Sequence, residues 1–254
     1  MQAEMARRSW LGMITTITRI TTIIMSILMG EAALYDLLTW MSPAWPVGAF
    51  AHSSGLEWAV EAGHVTDRAT TRQWIADLIE HGPIRNDMVL FVHGWRAVVA
   101  GDEQRLCEIA ELSLATQTAL ERRIEATAQG NAFRKIARAI VGQETLWDLE
   151  DELSYPVAVA SLTAGQAIPL RQALTAYAHG VVSNLVSAAQ RLVPLGQTDG
   201  QLVLRDLRET VFTVVAAMEA LPEGDPFYQI GGATLVAEIG CMAHETQYTR
   251  LFRT

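Results

Sequence analysis

The chain has 254 residues, enough to bury one sizeable core or two small ones. Hydrophobic residues make up 50% and charged residues 19%, which argues against a disordered chain. A net charge of -9 with a single lysine, Lys135, argues against a nucleic-acid partner, because a phosphate-tracking surface needs clustered Lys and Arg.

Residues 1–33 open with Arg7 and Arg8 and continue into an apolar run from Ile14 to Met29. Arg19 interrupts that run, and Ile20 to Met29 is too short to cross a bilayer. No clean small-x-small cleavage site follows, so the stretch reads as an extension that adds little to the fold, with Met25 or Met29 as alternative starts and no stable membrane anchor.

Leu34, Leu37, Leu38 and Met41 follow helical spacing, as do Leu56, Ala59 and Val60. Between them runs Ser42-Pro43-Ala44-Trp45-Pro46-Val47-Gly48-Ala49-Phe50-Ala51-His52-Ser53-Ser54-Gly55, whose prolines and glycines forbid a continuous helix and predict an ordered corner. Trp45 and Phe50 either plug a core there or meet a partner, together with His52, Ser53, Ser54 and Glu57.

From Thr66 onwards the sequence predicts helix after helix. Thr66 or Asp67 caps a helix holding Trp74, Ile75, Leu78 and Ile79, and Gly82-Pro83 stops it. Ile84 to Val99 carries Met88, Phe91, Val92 and Trp95, and Gly101-Asp102 supplies both a stop and a new cap. Leu106, Ile109 and Ala110 mark a shorter helix. Ala119 to Val141 is long, and its Glu121, Arg122, Arg123 and Glu125 read as a solvated face, or as one on which Arg122 and Arg123 pair with acidic neighbours or a partner. After Gly142 and the acidic stretch Asp148 to Glu152, Tyr155-Pro156 opens another helix. Pro169 opens a wide-faced one ending at Pro194 and Gly196, and Leu202 to Leu221 forms the last long helix.

Pro222-Glu223-Gly224-Asp225-Pro226 is a turn, and Leu235, Val236, Ile239 and Met242 form a short helix beyond it. In the tail from Glu245, Tyr248, Leu251 and Phe252 would share one stripe if helical, with few means of intramolecular burial, a pattern of segments that order when bound, as a helix or as an ordered hook. The expected architecture is therefore all-α. An N-terminal extension (1–33) precedes one compact helical bundle (34–221), and a C-terminal segment (222–254) orders on partner binding. Removing Glu245 to Thr254 would then leave bundle stability nearly unchanged.

No phosphate loop, dinucleotide fingerprint, HExxH or GxSxG occurs, so no cofactor and no catalytic residue is expected. Cys241 and His244 share a helical face but lack further ligands for a closed metal site, so no metal site is expected, and Cys107 and Cys241 are too few for a disulfide framework. An interaction protein explains these absences. The alternative, an enzyme using His52 and Glu57, explains only the corner.

Three runs resemble the UreF family of urease accessory proteins: the corner, Arg191-Leu192-Val193-Pro194-Leu195-Gly196-Gln197-Thr198-Asp199-Gly200-Gln201, and His244-Glu245-Thr246-Gln247-Tyr248-Thr249-Arg250-Leu251-Phe252-Arg253. The resemblance implies a cytoplasmic, dimeric, non-catalytic helical protein. It would join UreD (also called UreH) and the GTPase UreG in delivering nickel to apo-urease, with GTP bound by UreG. It places UreG-facing positions on Pro46, Gly48, Phe50, His52, Gly55, Glu57 and Arg191. It places UreD contacts on Met242, His244, Glu245, Tyr248, Arg250, Leu251 and Phe252. Ala49, Ala51 and Cys241 depart from the family pattern.

Overall fold

The computed structural model describes residues 30–142 and 152–254; the extension up to residue 29 and most of the acidic stretch before Tyr155 lie outside the described residues. Among the described residues every regular element is helical and no strand occurs, as the periodicity predicts. The chain divides at Trp40. Before that point stands α1, a helix over 30–40, in which the Thr39 hydroxyl donates to the Tyr35 carbonyl at 2.9 Å.

The second unit, Met41–Thr254, holds α2 (Leu56–Glu61), α3 (Arg68–His81), α4 (Pro83–Ala100), α5 (Glu103–Ala115) and α6 (Leu120–Val141). It continues with α7 (Tyr155–Gly165), α8 (Leu170–Leu192), α9 (Gln197–Glu219) and α10 (Leu235–His244). Local chemistry sets most boundaries. Asp67 caps α3 in a box in which its carboxylate accepts from the Thr70 N–H at 2.8 Å and the Thr70 hydroxyl accepts from the Asp67 N–H at 3.0 Å. Pro83 begins α4 at a position that has no N–H to lose, and Gly101 ends it at φ 70°. Asp102 then caps α5 through the Arg105 N–H at 2.9 Å.

α7 is buried from Pro156 to Ala164 and packs against α4 and α6. Rings join the corner to this core in a row: Trp45 on Phe133 at 5.7 Å, Phe133 on Tyr155 at 5.7 Å, Tyr155 on Tyr177 at 5.6 Å and Tyr177 on Phe91 at 5.4 Å. Trp45 is thus a core residue, whereas Phe50, five positions on, is 67% exposed. The approach of α6 to the start of α7 depends on Gly130, where a Cβ would collide with the backbone of Leu153 and Ser154. Gly130→Ala is expected to cost about 3 kcal/mol through forced separation of the two segments, read as a lower thermal midpoint; an unchanged midpoint would contradict this packing.

Candidate functional site

Gly55 sits at φ 81° as the N-cap of α2, and a Cβ there would stand 2.7 Å from the Cys241 sulfur. Only glycine combines that backbone with so close an approach of α10. Ser54, at φ 53°, is held in the same left-handed region although it has a side chain. Its hydroxyl lies 2.9 Å from Glu125 Oε1 and 3.0 Å from Arg122 Nη1.

Glu125 and Arg122 come from the first two turns of α6. Glu121, Arg122, Glu125 and Gln129 are all buried, so the face read as solvated is internal; of the four charged residues there Arg123 turns outwards, to pair with Glu152 at 3.3 Å. Arg122 bonds Glu125 Oε2 at 3.0 Å and lies 3.7 Å from Asp87 Oδ2. Burial works against the Arg122 charge, but Glu125 and Asp87 outweigh it and raise its pKa above the ordinary value. Burial pushes the Asp87 carboxyl up to about 6 despite the pull of Arg122.

The tail closes over this face. α10 ends at His244, whose ring is fully buried between two acids: Nδ1 lies 2.6 Å from Glu121 Oε2 and Nε2 3.1 Å from Glu57 Oε2. Each ring nitrogen thus stands within hydrogen-bond distance of a carboxylate oxygen, which fixes the orientation of the ring. Glu57 also accepts from the Leu251 N–H at 2.6 Å and the Phe252 N–H at 2.9 Å. Arg250 pairs with Glu121 Oε1 at 2.9 Å, and Glu245 accepts from the Leu120 N–H at 2.9 Å, capping α6, which its own Ala119 cannot do.

The last residues pair with the corner. Arg253 N–H donates to the Ala51 carbonyl at 2.8 Å, and the Thr254 carbonyl accepts from the Ser53 N–H at 2.7 Å and the Ser53 hydroxyl at 2.9 Å. His52 Nδ1 meets the Thr254 hydroxyl at 2.8 Å, which in turn donates to Glu125 at 3.3 Å. Burial lowers the His52 pKa, against an opposing pull from Glu125, so its ring is held neutral. Phe252 fills a cluster made by Leu56, Ala59, Val65, Ala188, Ala189 and Val193. Arg191, in the last turn of α8, lies between two rings, its Cζ 3.7 Å from the Phe50 centroid and 4.0 Å from that of Phe252. It also donates to the Phe50 carbonyl at 2.8 Å.

The residues singled out in the sequence therefore separate into an inner and an outer set. His52, Gly55, Glu57, His244 and Phe252 are buried, and Glu245 and Arg191 are half-buried. Pro46, Gly48, Phe50, Met242, Tyr248, Arg250 and Leu251 face solvent. Two expectations are corrected. Of the two tail forms expected, helix or ordered hook, the segment after α10 is a hook, and Phe252 does find an intramolecular partner, with Glu57 on α2 accepting from the backbone N–H groups of Leu251 and Phe252. His52 and Glu57 do not form a dyad, since their polar atoms bond Thr254 on one side and His244, Leu251 and Phe252 on the other. Among the described residues no three His, Cys, Asp or Glu side chains are grouped to hold a metal ion. Burial pushes the Cys241 thiol up to about 12, which leaves it unreactive at neutral pH.

Sequence reasoning missed Glu121, Arg122, Glu125 and Asp87 as parts of this network. The available signal was the four-residue spacing of Glu121, Glu125 and Gln129, which is a buried polar seam as readily as a wet one.

Asp87 gives the site a pH signature. Its folded value of about 6 exceeds the ordinary 3.8, so the folded state holds the proton more tightly. The stabilisation is fully present below 3.8 and is lost as pH rises through about 6. The thermal midpoint of the native chain minus that of Asp87→Asn is expected to be larger at pH 5 than at pH 7.5. Parallel profiles for the two proteins would contradict it.

Comparison with known proteins bears on what this arrangement serves. The UreF family model matches residues 65–208. A Rhodopseudomonas palustris (strain BisB5) protein named urease accessory protein UreF is 48% identical over 228 residues, spanning 88% of this chain and 92% of that protein. A Bradyrhizobium diazoefficiens protein of the same name is 46% identical over 234 residues, spanning 88% and 92%. With the corner, the α8 end and the tail drawn into one network and relatives matched over nearly their full length, the chain belongs to the UreF family of urease accessory proteins.

Proposed function

We propose that the chain is a non-catalytic scaffold in urease maturation. It bridges UreD (UreH) and the GTPase UreG on apo-urease, supports insertion of nickel as cargo and modulates the GTPase, with no cofactor of its own. It works in the cytoplasm as a homodimer; no helix among the described residues is long and apolar enough to cross a membrane. The observation that carries this reading is the sharing of Arg191 between Phe50 of the corner and Phe252 of the tail. Two segments expected to meet different partners are thereby held as one surface.

On this reading the outer residues make the contacts. Pro46, Gly48 and Phe50 face UreG, while Met242, Tyr248, Arg250 and Leu251 face UreD. The buried His52, Gly55, Glu57, His244 and Phe252, with Glu245 and Arg191, fix the shape those residues present. A rigid corner lowers the ordering cost of binding, and UreD would hold the tail in its ordered form. The test is Phe50→Ala in a pull-down with purified UreD and UreG. UreG recruitment should fall about tenfold, with UreD binding and helical content retained, because Phe50 is exposed. Undiminished UreG recruitment would remove the corner from the GTPase surface.

A further inference from the structure

The loop between α9 and α10 is unusually well tied for a segment outside the core. Three arginines from α4 and α5 reach its backbone carbonyls: Arg96 to Leu221 at 2.8 Å, Arg105 to Gly224 at 3.0 Å and Arg85 to Gln229 at 3.0 Å. Gln229 is held a second time by His93 Nε2 at 2.8 Å, and Asp225 caps the Phe227 N–H at 3.0 Å. Pro226 is buried beneath the resulting 3-10 turn, Pro226–Tyr228. At its apex Phe227 is 60% and Tyr228 84% exposed, their rings perpendicular at 84° with centroids 5.5 Å apart.

A loop that merely connects two helices would be stable with polar residues there, while bracing this exposed aromatic pair ties down three arginine side chains, two of them in part-buried contacts. Aromatics on a pre-ordered backbone are what binding hot spots are made of, because little conformational entropy remains to be lost. Glu223 and Asp225 precede the pair and are exposed, on either side of Gly224, whose carbonyl Arg105 holds while itself pairing with Glu108. A protruding aromatic pair with exposed acids on the chain leading into it fits an apolar pocket edged by Lys or Arg.

We infer that Phe227 and Tyr228 form a second docking prong, seated in an apolar, basic-rimmed pocket of the protein that also engages the α10 and tail segment. The inference rests on the proposed scaffold reading, in which that protein is UreD. Continuity supports the assignment: the chain runs from the prong directly into α10, whose Leu235, Ile239 and Met242 are themselves exposed. The prong adds a contact independent of the tail.

The test is the dissociation constant of the full chain for purified UreD. Phe227→Ser with Tyr228→Ser should weaken binding about tenfold or more, and Tyr228→Ser alone about fivefold, a change too exposed to disturb folding. Glu223→Lys should also weaken binding, and more so at low salt. Native-strength binding by the double variant overturns the prong while leaving the scaffold reading intact. Binding weakened by the aromatic changes but not by Glu223→Lys overturns the basic rim. No binding by the native chain overturns both the prong and the reading beneath it.

Discussion

Glu57→Ala is expected to release the tail and to lower stability by about 3 kcal/mol, the scale of leaving buried hydrogen-bonding groups without their acceptor. The two oxygens of Glu57 accept from Leu251 N–H, Phe252 N–H and His244 Nε2, and the residue is 7% exposed. Alanine leaves the buried Phe252 N–H, the part-buried Leu251 N–H and a buried ring nitrogen without that acceptor, the buried groups costing about 1–3 kcal/mol each. The sum is not realised in full, because the tail can leave before the bundle unfolds, so the docking free energy of the tail is a ceiling. Amide hydrogen exchange at Leu251 and Phe252 should therefore accelerate more than exchange in α4 or α7. Protected tail amides in the variant would mean that the Phe252 cluster, rather than Glu57, holds the tail.

Removing Glu245 to Thr254 is the second large effect, and here the structure reverses the expectation drawn from sequence. The segment carries Phe252 into a buried cluster, supplies the α6 cap through Glu245 and places Arg250 on Glu121. A loss of about 3 kcal/mol corresponds to a thermal midpoint lower by roughly 6–12 °C in a chain of this size. Helical content should change little, since the segment is not helical beyond α10. An unchanged midpoint would restore the view of the tail as an energetically separate appendage.

How far the sequence was legible follows from which forces are local. Asp67, Gly82-Pro83 and Gly101-Asp102 act through their own backbone neighbours, and the structure places α3 and α4 between them and starts α5 directly after Asp102. The α6 face failed for the opposite reason. Periodicity separates polar from apolar residues, yet it does not distinguish acids facing water from acids facing a returning segment 120 or more residues away. Phe252 is a similar case, because its pocket is built from α2 and α8, and nothing near it in sequence announces that pocket. Trp45 and Phe50 had equal claims on the core; only the ring row from Trp45 to Phe91 decides between them. The corner, the α8 end and the tail were recognisable as motifs, but their meeting around Arg191 was not.

The most direct test of the central claim is activation of apo-urease by nickel with purified UreD, UreG and GTP, comparing the native chain with the chain lacking Glu245 to Thr254. The native chain should restore urease activity, and the truncated chain should restore little, in step with its loss from the UreD complex on a sizing column. Full activation by the truncated chain, measured below its lowered melting temperature, would contradict the account.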